Sequence, residues 1–103
     1  MEQTPLIVRE PLERFLDAHG IGSGPLEAER IGEGHSNITF LLRRGDARVV
    51  LRRPPRPPLP PSAHDVLREA RLLRALEPTP VRVPRVLAVG DDESVLGVPF
   101  YVM

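Results

Sequence analysis

The chain contains no cysteine and no lysine. The first absence excludes a disulfide framework and any thiolate metal site. The second makes arginine the only permanently cationic side chain, fourteen in all, balanced by fourteen acidic residues for a formal net charge of zero. Charge alone therefore recruits neither nucleic acid nor an acidic membrane surface. No apolar run approaches the ~20 residues of a membrane helix. The opening MEQTPLIVRE lacks the basic start, apolar core and small-residue cleavage site of a signal peptide. These absences point to a cytoplasmic protein with no membrane and no nucleic-acid partner. No repeat occurs at any period. His19 and His64 have no partner at metal-ligand spacing and His35 reads as a solvated loop residue, so no metal is assigned to these side chains. At 103 residues the chain is one domain at most, with a modest core.

Proline, by contrast, is plentiful: six of the eight residues 54–61. That run directly follows a strand-like ARVVL, residues 47–51, and two arginines, Arg52 and Arg53. Upstream, residues 9–19 place Leu12, Phe15 and Leu16 on one helical face, with Gly20 as a stop. Residues 20–25 form a joint. Strands follow over Leu26–Ile31 and Ile38–Leu42, and the turn RRGD leads into the strand that ends at Leu51. After the prolines, Ser62 caps a helix with Asp65 at its third position. The helix runs to about Leu76, where EPTP ends it. The remainder, PRVLAVGDDESVLGVPFYVM, reads as strand, turn and strand. Short turns between strands argue for an α+β fold, a mainly antiparallel five-stranded sheet with one packed helix and an additional N-terminal helix. The apolar ending at Met103 suggests the front part of a longer protein.

Two features carry chemistry. At ~100° per residue, Val66, Ala70, Leu73 and Leu76 share one helical face, and Glu69 falls within it. A carboxylate in an apolar stripe costs several kcal/mol unless it is paired. The cations at a nearby strand end are Arg52 and Arg53. Alternation directs one of them to the core face with Val50 and the other outside. The second feature is IGEGHSNITF: Gly32 and Gly34 free the backbone to approach a ligand, and Ser36 and Asn37 add donors, as a phosphate cradle requires.

In this order, IGEGHSNITF, VVLRRPP, SAHDVLREARLLRAL and VPRVLAVGDDESVLGVPFYVM resemble the N-terminal lobe of the aminoglycoside phosphotransferase and choline kinase-like family. The resemblance is nearest to the branch associated with acyl-CoA dehydrogenases. It implies a protein-kinase-like N-terminal lobe over residues 25–103, with residues 1–24 as an N-terminal helix and joint. It also implies an ATP-dependent phosphotransferase acting on a hydroxyl of a small molecule, with Mg2+. Gly32, Gly34, Ser36 and Asn37 would cover the phosphates, Arg52 would take the place of the strand lysine, and Glu69 would fix it. Val50 would line the adenine slot, and Met103 would sit at the entry to the interlobe hinge. Asn37 departs from the family pattern by replacing a third glycine. Arg52 departs by replacing lysine, yet it keeps the charge and can grip phosphate in a bidentate way. The catalytic aspartate, the metal ligands and the acceptor pocket are expected beyond residue 103, in a C-terminal lobe. No His-x-Asp or Asp-Phe-Gly-like segment occurs, and GDDES belongs to a turn. The competing reading is a non-catalytic interaction module: Arg52, Pro55 and Pro58 also match a basic polyproline II ligand over residues 52–61.

On the kinase reading, the isolated chain has no phosphotransferase activity and exposes apolar surface that a second lobe would cover. Strong binding of a dye specific for exposed apolar surface, with a shallow thermal transition, is the expected outcome. A cooperative high-temperature melt without dye binding would contradict it.

Overall fold

The computed structural model describes residues 5–32, 37–55, 65–91 and 93–103. Helix α1 spans Arg9–Ala18, strands β1, β2 and β3 span Leu26–Ile31, Ile38–Arg44 and Ala47–Arg53, helix α2 spans Asp65–Leu76, and β4 and β5 span Ala88–Gly90 and Phe100–Val102. The strands form one sheet in the order β1-β2-β3-β5-β4, and every pairing is antiparallel. The α+β expectation and the five strands hold. Both β2 and β3 run further than the sequence suggests, because Arg43 and Arg44 pair with Arg48 and Ala47 and carry the ladder to the turn. Arg52 and Arg53 extend β3 at its other end, paired with Thr39 and Ile38. The proposed cap at Ser62 lies outside the described residues.

The pleat gives the sheet two apolar faces. On one, Ile38, Phe40, Leu42, Leu51, Phe100 and Val102 form a core with Leu12 and Leu16 of α1. Phe15 meets Phe100 edge-on with ring centroids 4.9 Å apart, an arrangement aromatic pairs favour. On the other, Tyr101 packs with Val66 and Ala70 of α2 and with Val86. The N-terminal helix is therefore an integral layer, and the order through the domain is α1, sheet, α2.

Helix α1 ends as expected at Gly20. That residue has φ +68°, its N–H donates to the Asp17 carbonyl at 3.1 Å, and the Ile21 N–H donates to the Leu16 carbonyl at 2.9 Å. This pair of bonds is the Schellman arrangement, which needs a left-handed residue at that position. Ile21 and Leu16 both enter the core. Polar ties then fix the helix to the sheet. Glu13 accepts a 2.8 Å bond from the Leu26 N–H. Arg44, 6% exposed, donates to the Gly24 carbonyl at 2.8 Å and pairs with Asp17 at 2.7 Å.

One expectation needs correction. Alternation does separate Arg52 from Arg53, but the residue facing away from the α2 core is not outside. Arg53 is 2% exposed, because α1 and the segment before it cover that face of the sheet. Its guanidinium donates to the Pro54 carbonyl at 2.9 Å and to the Leu6 carbonyl at 2.8 Å, holding the N-terminal segment against β3.

Gly90 offers a test of this packing. A Cβ placed there would run into the Phe100 ring, and overpacking of this kind costs about 1–3 kcal/mol. Gly90→Ala is expected to lower the urea midpoint of the chain without changing the slope of the transition. An unchanged midpoint would mean that Phe100 does not fill that space.

Candidate functional site

Helix α2 turns Val66 and Ala70 fully inward, while Arg68 and Arg71 are exposed. This is the face expected from the spacing. Glu69 sits on the same face with its side chain 33% exposed. Three groups converge on its carboxylate. The Tyr101 hydroxyl donates to Oε1 at 2.7 Å, and the Asn37 amide donates to Oε2 at 3.1 Å. Arg52 brings its Nε within 3.4 Å of Oε1.

The register explains the convergence. Arg52 of β3 is paired directly with Tyr101 of β5, so both side chains leave the same face of the sheet toward α2. The Arg52 contact carries charge without hydrogen-bond geometry. Its Nε is buried yet has no hydrogen-bond partner among the described residues. With both partners about a third exposed, such a pair contributes on the order of 0–1 kcal/mol to stability. Its importance is positional: a guanidinium is held at a defined place with donors to spare.

That place is the wall of a cleft of about 220 Å³, shared with Glu69, Tyr101, Leu72, Leu73 and Met103. Met103 exchanges two 2.8 Å backbone bonds with Val50, which extends the β3–β5 pairing by one residue and puts Val50 and Met103 side by side. A larger groove, about 420 Å³, runs between α2 and β4, but its arginines, Arg71 and Arg74, are exposed.

The structure thus brings together Asn37, Arg52, Glu69 and Met103, with Val50 alongside. Gly32 lies just beyond β1 at φ +76°, a conformation side chains rarely adopt, with open space where a Cβ would point. Gly34 and Ser36 lie outside the described residues. The side chain of Asn37 turns inward to Glu69. Tyr101 is the member of the cluster that sequence reasoning missed. Its signal was present: a phenol in an apolar strand needs a partner for its hydroxyl, and it stands two residues before Met103 on the same face.

Burial pushes the Tyr101 phenol well above its ordinary value, and the hydrogen bond to Glu69 and that carboxylate's charge add to the rise, while Arg52 opposes it. The phenol therefore stays protonated and remains a donor at every physiological pH.

The family model described as the phosphotransferase enzyme family matches residues 27–103. Together with the sheet order and the paired strand cation and helix carboxylate, this defines the class: the N-terminal lobe of a kinase-like fold. The chain belongs to the phosphotransferase enzyme family. Among curated relatives, it is 38% identical over its whole length to acyl-CoA dehydrogenase family member 10 of Mus musculus. It is 42% identical, over 79% of its length, to acyl-CoA dehydrogenase family member 11 of Gallus gallus. The chain spans 10% of the length of each of these two relatives. A crystal structure described as an aminoglycoside phosphotransferase, from Ralstonia eutropha, superposes with a TM-score of 0.75 at 36% identity, covering 91% of this chain and 26% of that one.

The chain has a single tyrosine and no tryptophan, so its phenol can be titrated directly by absorbance. Tyrosinate formation is expected well above the ordinary value of about 10. Glu69→Gln should lower it only in part, because burial remains. The folded-state value is raised, so the associated stability is complete below about pH 10 and declines as pH rises beyond it. A transition at the ordinary value in the native chain would contradict the Tyr101–Glu69 contact.

Proposed function

We propose that this chain supplies the nucleotide-binding lobe of an ATP-dependent phosphotransferase that moves the γ-phosphate of ATP to a hydroxyl of a small molecule. The observation that carries the reading is the Arg52 guanidinium, held beside Glu69 with a buried Nε that no described residue satisfies. An anion at the cleft would take those donors, and the α- and β-phosphates of ATP are anions that an arginine fork grips in a bidentate way. Glu69 fixes the guanidinium, and Gly32, Gly34, Ser36 and Asn37 would cover the phosphates. Val50 and Met103 flank the adenine, and the strand ending at Met103 leads to the hinge.

Phosphoryl transfer relies on positioning and on neutralising phosphate charge. Bound Mg2+ would supply part of that neutralisation. Among the described residues no group of three or more His, Cys, Asp or Glu side chains could hold a metal; the family resemblance is what assigns the metal ligands and the catalytic aspartate to a C-terminal lobe. No helix among the described residues is long and apolar enough to cross a membrane. The polyproline reading is less favoured, since its basic residue, Arg52, lies inside β3 paired with Tyr101. Pro58 lies outside the described residues.

In the full-length protein, Arg52→Ala and Glu69→Ala are each expected to raise KM for ATP by at least about tenfold, ~1.4 kcal/mol. The double variant should be little worse than Arg52→Ala, because both changes disable one clamp. Arg52→Lys should lose much less. Arg53→Ala, on the opposite face, should lower Tm and leave ATP binding intact. If both alanine variants use ATP normally the reading fails, and if they instead lose a proline-recognition partner the interaction-module reading replaces it.

A further inference from the structure

We propose that Tyr101 and Asn37 are positioning residues that hold the Glu69 carboxylate in Arg52's stead, so that the Arg52 guanidinium can turn to a phosphate without leaving Glu69 unsatisfied. The proposal rests on the nucleotide reading above and deepens it.

Each oxygen of Glu69 has a neutral donor of its own: Oε1 the Tyr101 hydroxyl at 2.7 Å, Oε2 the Asn37 amide at 3.1 Å. A guanidinium that held this carboxylate by itself would spend its fork on both oxygens. Here Arg52 stands 3.4 Å from Oε1, contributing charge, while its Nε stays without a hydrogen bond among the described residues. A half-enclosed carboxylate deprived of its donors would be costly. With two neutral donors in place, that cost does not arise when the guanidinium moves to an anion.

The donors are themselves well fixed. Tyr101 is 1% exposed and clamped among Val66, Ala70 and Val86, so its hydroxyl has one position. Asn37 is half-buried and is the residue that leads from the glycine turn into β2. Through Glu69, these two donors tie together the residue just before β2, helix α2 and β5. Without the Tyr101 hydroxyl, Oε1 needs another donor, and Arg52 Nε is already beside it. The guanidinium then closes on Glu69, and its hold on phosphate weakens.

The test measures Kd for a non-hydrolysable ATP analogue with Mg2+ by calorimetry on the full-length protein, alongside Tm without nucleotide. Tyr101→Phe keeps the ring and its packing. It is expected to weaken binding about tenfold, the equivalent of one hydrogen bond to a charged group, with the ligand-free Tm lowered by only a few degrees. Asn37→Ala should weaken binding similarly. In a Glu69→Ala background, Tyr101→Phe should have no further effect on Kd, since no carboxylate remains to be held. Wild-type Kd in Tyr101→Phe, or an equal loss in the Glu69→Ala background, would overturn the proposal and leave Tyr101 a packing residue. Arg52→Ala separates the two readings. If that variant binds the analogue normally, the nucleotide assignment itself falls. If it binds weakly while Tyr101→Phe binds normally, only the present proposal falls.

Discussion

Glu69 places a negative charge on the apolar face of a helix that packs against a sheet, and the domain is arranged around satisfying it. The carboxylate is partly open to solvent, so its placement beside apolar neighbours is met by water on one side and by protein donors on the other. Three elements contribute to its environment: the start of β2 through Asn37, β3 through Arg52 and β5 through Tyr101. Because the donors come from different strands, the rotation of α2 about its axis and its height above the sheet are specified more narrowly than apolar packing would specify them. Val66 and Ala70 set the face that is buried. The polar contacts set where along that face the helix rests.

The adjacent arginines of β3 divide two tasks between the faces of the sheet. Arg52 points to α2 and the cleft, with donors left over. Arg53 points the other way and is enclosed, bonded to backbone carbonyls of Pro54 and Leu6. Arg44, at the far end of the hairpin, holds Gly24 and Asp17 in a comparable way. A guanidinium suits these roles, since its planar donors reach several carbonyl acceptors at once and it is less strongly hydrated than an ammonium. One cation is thus held at the cleft beside Glu69 while Arg44 and Arg53 lock the N-terminal layer to the sheet. That layer gives the thin sheet a second core, so the cleft wall rests on a supported strand.

Much of this was legible in the sequence because it is local. The helical stripe with Glu69 inside it follows from a 3.6-residue period. The end of α1 at Gly20 follows from the residue's tolerance of positive φ, and β1 follows from its place between a glycine-rich joint and a glycine turn. The direction of Arg52 relative to Arg53 could be narrowed by alternation only to one of two. Choosing between them needs the register of β3 against β5, which depends on residues some fifty positions apart in the chain.

The sequence by itself determined which residue types would meet: a cation at a strand end, an inward carboxylate, a glycine turn and an apolar strand that leads to Met103. Only the tertiary structure decided that Tyr101 and Asn37 are the hydrogen-bond donors to Glu69, that Arg52 keeps its own donors, and that Arg53 is buried. The physical reason is the same in each case. Periodicity shows which face of its own element a side chain leaves, whereas burial and hydrogen bonding depend on what another element places opposite that face.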